Sequence, residues 1–325
     1  MVALHLASPV SGNRSAARPD PQDARWTCAL VNNMPDGAFA QTERQFLELL
    51  DVGSGAQGLD VRLYTMAGVT RGRDTARRIA ERYTPFADLF GHPPRLLIVT
   101  GANPVEPVLE DEAIWTDMVH LLTWASHAVP SMLLSCLAAH AALTVYDGLP
   151  RKPLPGKCTG VFTQQVDHRD PLTVGLVPNP VLPHSRLNTV PTHLVRAAGY
   201  QVPLRSDEAG WSVATRRVAT SHVVLIQAHP EYGPTNLLRE YQRDVRRYVR
   251  HERDRPPVLP QSCSAPEDRR RLEELQQRLT SGERDPVLVE SFPFADVEAR
   301  APWSWRTTAE QLYANWLANV PAGVR

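Results

Sequence analysis

The sequence predicts an α/β fold, a doubly wound and mostly parallel sheet with helices on both faces. Three observations predict it. Short apolar runs alternate with amphipathic segments from Thr27 onward. The runs, such as Leu96-Leu97-Ile98-Val99-Thr100, are continuous rather than alternating, which suits strands covered on both faces. Several stop at turn-forming residues, such as Asn32-Asn33-Met34-Pro35 or Gly101, where a strand can hand over to a crossover helix.

Taken in order, residues 1–25 are rich in Pro, Ser, Ala and Arg and read as a mobile arm. Cys28 to Asn32 is the first strand. A helix over Thr42 to Leu50 places Phe46, Leu47, Leu49 and Leu50 at helical spacing behind Thr42-Glu43. Val61 to Met66 is a strand and Arg71 to Tyr83 a charged helix. After the Leu96–Thr100 strand, Glu110 to Ala128 is a helix with a wide apolar face, ended by Pro130. Met132 to Ser135 is a strand and Leu137 to Tyr146 an Ala-rich helix. His222 to Gln227 is the last strand, followed by a helix from Asn236 to Arg250. These elements make a catalytic α/β domain over 26–250. A Pro-rich linker with a charged helix, Pro266 to Leu279 capped by Ser264, spans 251–300. The aromatic C-terminal segment 301–325 is expected to pack on the core.

Composition excludes several classes. The 35 basic side chains balance 35 acidic ones, which argues against a nucleic-acid or membrane-surface partner held by bulk charge. The most apolar stretch, Ala128 to Val145, is interrupted by Pro130, Ser131, Ser135 and His140, and is too polar for a membrane span. The N-terminus lacks the basic start of a signal peptide. Four cysteines at irregular spacing form no metal or disulfide pattern. A cytoplasmic protein without a metal follows. Only Lys152 and Lys157 among the basic residues are lysines, which draws notice to both.

Two segments carry chemistry. In Leu133-Leu134-Ser135-Cys136-Leu137-Ala138 a buried strand ends at a thiol and a helix of small residues begins at once, the setting of a nucleophile elbow. A thiol at a helix N-terminus has its thiolate favoured, and the same amides can hold an oxyanion. Read alone, Cys136 fits a buried core thiol equally well. In Val223 through Tyr232, a strand delivers His229, with Glu231 two residues on. Cysteine chemistry needs a base and a group that orients it, and His229 with Glu231 offers both. A strand-end His is more often structural, but Cys136 and His229 at two strand ends together favour catalysis.

The chain resembles the class I glutamine amidotransferase-like (flavodoxin-like) superfamily and, within it, the homoserine O-acyltransferases of the homoserine O-succinyltransferase family. The matching stretches run in order. They are Asn33-Met34-Pro35, Thr42-Glu43-Arg44-Gln45-Phe46, Ile98-Val99-Thr100-Gly101-Ala102, Cys136 with Ala141-Ala142-Leu143, and Lys157-Cys158-Thr159-Gly160-Val161-Phe162. Then come Pro183-His184-Ser185-Arg186, His229-Pro230-Glu231-Tyr232 through Arg243-Asp244, Ser304-Trp305-Arg306 and Asn315-Trp316-Leu317. The resemblance implies O-acylation of homoserine in methionine biosynthesis, with acyl-CoA as co-substrate and no cofactor. Cys136 would carry the acyl group as a thioester, with His229 as base and Glu231 orienting it. Substrate-binding positions fall on Lys157, Ser185 and Arg243, and a homodimer is implied. Without the resemblance, Arg243 reads as part of a solvated face with Arg239, Arg246, Arg247 and Arg250.

Some residues depart from the family pattern: Leu137 stands for Trp, His140 for Gln, and Asp36 for Lys, while 256–291 is longer. Acyl choice in the family rests on a residue just after Thr-Gly-Ala. With a one-residue insertion Glu106 takes that position, and without it Val105 does. Glu106 would repel a succinyl carboxylate, so acetyl is the expected donor. Alternatives are another hydroxy-amino acid such as serine as acceptor, a glutaminase or amidotransferase, and a binding-only descendant.

Overall fold

The computed structural model describes residues 5–6, 26–55 and 58–320. Most of the arm expected over 1–25 lies outside the described residues. In chain order the elements are β1 (His5–Leu6), β2 (Trp26–Val31), α1 (Asp36–Ser54), β3 (Leu59–Tyr64), α2 (Arg73–Arg82), α3 (Asp88–Gly91), β4 (Leu96–Val99), α4 (Trp115–Ala128), β5 (Ser131–Ser135) and α5 (Leu137–Asp147). Then follow β6 (Lys152–Thr163), β7 (Gln165–Val166), β8 (Val181–Thr189), α6 (Thr192–Ala197), β9 (Gln201–Ser206), β10 (Gly210–Val218), β11 (Ser221–Ile226) and α7 (Asn236–Val249). The last four are α8 (Pro266–Thr280), α9 (Val287–Glu290), α10 (Phe294–Ala299) and α11 (Arg306–Ala318).

The main sheet has the order β1-β3-β2-β4-β5-β11-β10-β9-β7. From β1 to β11 every pairing is parallel. Beyond β11 the pairings turn antiparallel. The two-residue side-chain period of a strand explains the double winding. Ala29, Leu97, Leu134 and Leu225 face one core with α4 and α5. Their neighbours Leu30, Ile98, Leu133 and Val224 face another with α1 and α11. A third cluster joins α7 to α8, α9, α10 and Trp305.

Several boundaries differ from the expected ones. The first helix starts at Asp36, just after Pro35 in extended conformation, so Thr42 and Glu43 lie inside it, both buried. The helix expected from Glu110 is broken into a 3-10 turn over Leu109–Asp111 and then α4. Ser264 does not cap α8: Ala265 occupies that place without a side-chain bond, while Pro266 fills the first turn, where its missing N–H costs nothing. Residues 150–220, where no element was expected, hold five strands. Their signal is weak because β6 is mostly polar or exposed and is interrupted by Pro153, Pro155 and Gly156. β6 and β8 form a separate antiparallel ribbon, joined to the loop after β11 through the Pro183 carbonyl and to α7 through Lys157 and Ser185.

Candidate active site

Cys136 stands between β5 and α5 with φ 49° and ψ −105°, a conformation that side chains rarely adopt. Two features hold it there. Its N–H donates to the Ile226 carbonyl at 2.7 Å, and its own carbonyl accepts from His140 N–H at 3.1 Å, opening α5. Strain of this kind persists only where surroundings over-determine it, and it clusters at reactive sites. The bend turns the thiol to the sheet's carboxyl edge. The first amides of α5 have no partner within the helix, so they and the helix dipole favour negative charge there. Gly101 lies against the elbow: a methyl there would sit 3.4 Å from Cys136 Cβ and 3.7 Å from the Leu137 nitrogen.

The other cysteines are poor nucleophiles. Burial pushes Cys28 and Cys263 up to about 12 and raises Cys158 as well.

His229 follows β11, the parallel neighbour of β5, which brings it beside Cys136. Its N–H donates to the Pro183 carbonyl at 2.8 Å, and its ring stacks on Tyr232 with centroids 4.4 Å apart. Nδ1 pairs with Glu231 Oε1 at 2.7 Å. That bond leaves Nε2 for the thiol, and Nε2 has no other partner among the described residues. Burial opposes the imidazolium, but the Glu231 carboxylate and the Cys136 charge outweigh it and hold His229 well above its ordinary value. The three groups can form a thiolate–imidazolium pair oriented by a carboxylate.

On the α7 side, Lys157, Ser185 and Arg243 come together around two acids that sequence alone did not single out. Glu240 Oε2 accepts from Lys157 Nζ at 2.9 Å and from the Ser185 hydroxyl, and Oε1 accepts from Tyr232 at 2.6 Å. These partners, Lys157 foremost, overcome burial and lower Glu240 to about 2. Asp244 pairs with Lys157 at 3.3 Å, Arg243 at 3.1 Å and Arg253 at 3.5 Å. Arg243 itself is 59% exposed, so it lies at the rim. Glu240 could have been noticed as an acid one helical turn before Asp244, within an otherwise basic helix.

A sequence profile of the homoserine O-succinyltransferase family matches residues 12–322. The chain belongs to that family. It is 36% identical over 304 residues to a homoserine O-succinyltransferase of Methylorubrum extorquens, covering 94% of this chain and 90% of the relative. It is 37% identical over 292 residues to one of Rhodopseudomonas palustris, covering 90% and 87%. Among solved structures it is similar to a glutamine amidotransferase from Methylobacillus flagellatus, with TM-score 0.46, 12% identity and coverage of 93% and 97%. The protein is thus an acyltransferase of the homoserine O-acyltransferase group.

Many stretches that carry the family likeness are structural. Glu43 is buried and accepts from Arg78, Arg82 and Tyr83, tying α2 to α1. Trp305 Nε1 donates to the Tyr232 carbonyl at 2.8 Å, clamping the loop that carries His229 and Glu231. His140 is packed rather than exposed in the site: its Nε2 meets Gln227 Oε1 at 2.9 Å, and burial lowers it to about 4. Asp36 accepts from the Gly72 N–H at 2.7 Å. Val105 and Glu106 lie exposed in the loop after Ala102. Their N–H groups both donate to Glu112 Oε1, while the Glu106 carbonyl accepts from Arg151 at 3.1 Å. Among the described residues, no group of three or more His, Cys, Asp or Glu is arranged to hold a metal ion. No helix among them is long and apolar enough to cross a membrane.

Proposed function

We propose that the protein transfers a succinyl group from succinyl-CoA to the hydroxyl of L-homoserine, activating that hydroxyl for methionine synthesis. The observation that carries the reading is Cys136 at a strained elbow beside the His229–Glu231 pair, in a chain of this family. The Cys136 thiolate attacks the thioester carbonyl, and the bond from that carbon to the CoA sulfur breaks. The His229 imidazolium protonates the departing CoA thiolate. Neutral His229 then takes the hydroxyl proton of homoserine as its oxygen attacks the acyl-Cys136 carbonyl. Cys136 leaves as thiolate, which restores the starting pair. Each tetrahedral oxyanion is stabilised by amides at the start of α5, and Gly101 keeps space open beside them.

Glu240 supports an acceptor carrying an ammonium group, with Lys157 and Arg243 on its flanks suited to the α-carboxylate. Thr159 pairs in register with Ser185 and shares its face, and its buried hydroxyl has no partner among the described residues. It adds a polar contact to this pocket. The thioester carries the driving force, so acyl-CoA is a co-substrate and no cofactor enters. The proposal extends to a cytoplasmic homodimer, on the family resemblance alone.

The relatives' succinyl names support that donor. A second reading, acetyl, rests on Glu106 in the discriminating register. Intact-protein mass after mixing with succinyl-CoA or acetyl-CoA, without acceptor and alongside Cys136→Ala, tests both. A succinyl adduct lost in the variant is the expected result. An acetyl adduct alone selects the second reading. Full turnover by Cys136→Ala sinks the covalent route.

A further inference from the structure

Among the described residues, Arg186 is a buried cation without a counter-ion. It is only 7% exposed, yet its Nε and Nη1 have no hydrogen-bond partner among the described residues. Nη2 donates to the Ala209 carbonyl. Burial works against its charge, and the groups that favour it are Cys158 and Cys136 in their thiolate forms rather than any carboxylate. Burying a guanidinium this way is unfavourable unless an anion arrives to pair with it.

Its position tells where that anion comes from. β8 is extended, so successive side chains point to opposite sides. Ser185 points to Glu240 on α7, whereas Arg186 points the other way, sharing a ribbon face with Cys158. The Pro183 carbonyl accepts from His229 N–H and the Thr189 hydroxyl donates to Gln227 Oε1, so Arg186, between them on β8, lies near the ends of β11 and β5 where Cys136 sits, and its charge reaches Cys136 and His140. Arg151 approaches the same region from the loop after α5. It too acts on His140 and feels Cys136, and its Nε is buried and unpartnered. The amino-acid pocket and this cationic pocket therefore lie on opposite sides of the ribbon, with Cys136 within reach of both.

We propose that Arg186, assisted by the field of Arg151, receives the distal carboxylate of the acyl group while its carbonyl is bonded to Cys136. This deepens the succinyl reading above and rests on it. A four-carbon diacid places a carboxylate two methylenes from the thioester carbon, and the unpartnered Nε and Nη1 of Arg186 offer it charged donors on two edges of the guanidinium. An acetyl group leaves the fork empty. The pocket then discriminates by leaving a buried charge unpaired when the wrong donor binds.

The test compares succinyl-CoA with butyryl-CoA, which has a methyl group where succinyl has its carboxylate. Rates of acyl-Cys136 formation are followed by intact mass in the wild type, Arg186→Met and Arg186→Lys. Wild type is expected to form the succinyl adduct faster than the butyryl one. Arg186→Met should lose about 100-fold with succinyl-CoA, the usual cost of removing one partner of a buried charge pair, and change only a few-fold with butyryl-CoA. Arg186→Lys keeps the charge but gathers it on one ammonium nitrogen and should lose about tenfold, again with succinyl-CoA only. The lysine variant decides the matter by the same donor comparison if Arg186→Met does not fold. Equal losses with both donors, or none with succinyl-CoA, overturn the assignment while leaving the wild-type succinyl adduct, and so the function, intact. A wild type acylated only by uncharged donors overturns both.

Discussion

Two charged regions flank Cys136, and they are built in opposite ways. Around Glu240 and Asp244 the charges are matched: Lys157, Arg243 and Arg253 face two carboxylates, with Ser185 and Tyr232 filling further acceptor sites. Around Arg186 the cation is left incomplete, with two nitrogens unpartnered among the described residues. A matched network, even half-buried, holds its shape before a ligand arrives. An unmatched charge stores unfavourable free energy that a ligand of the right sign relieves. On the proposals above, the first region would orient an acceptor and the second would select a donor.

The largest expected effect comes from breaking the match. Glu240→Gln leaves Lys157 short of a carboxylate and should lower kcat/KM for homoserine by about 100-fold or more. Acyl-Cys136 formation from the CoA thioester alone should stay near wild type, and losses in both half-reactions would sink the division of labour. Glu231→Gln should cut turnover by about 100-fold and move the alkaline limb of the rate profile to lower pH. The sign follows from His229 being held well above 6.5 when folded. Its contribution to stability is fully present below about 6.5 and is lost as pH rises through the raised value. Unfolding of Glu231→Gln should therefore depend less on pH in that upper window.

The contrast sharpens in thermal unfolding. Removing an unpaired charge should help the unliganded fold, so Arg186→Met is expected to raise the midpoint by about 2 °C or more. Glu240→Gln should lower it. If both fall alike, Arg186 is part of the structural framework. The smallest effect is expected at His140→Gln, less than about tenfold on turnover, the worth of one hydrogen bond. His140 is lowered to about 4, so its contribution is full above about 6.5 and is lost as pH falls toward that value. The variant should unfold less readily on acidification, as a pH series of unfolding midpoints would show.

Much of this was legible in sequence because it is local. Continuous apolar runs define β2, β4, β5 and β11, since a strand buried on both faces needs no alternation. Cys136 and His229 could be paired from sequence because parallel strands deliver their last residues to one edge. Other features were hidden. β6 and β8 carry polar and proline-broken sequences whose pairing rests on non-local hydrogen bonds. Ser264 had the right chemistry for a cap and the wrong place, because Pro266 sets where α8 begins. Glu240 and Arg186 look like ordinary surface charges in sequence; partners on β6, β8 and the loop after β11 make the first exceptional, and burial makes the second so.

The sequence by itself determined the class of sheet and picked out a candidate nucleophile and a candidate base with its carboxylate, because periodicity and strand-end chemistry need only neighbouring residues. Tertiary structure alone decided which charges are paired and which are left waiting. Pairing depends on which side of the β6–β8 ribbon a residue faces, and on what α7, α5 and the β9–β10 turn bring there.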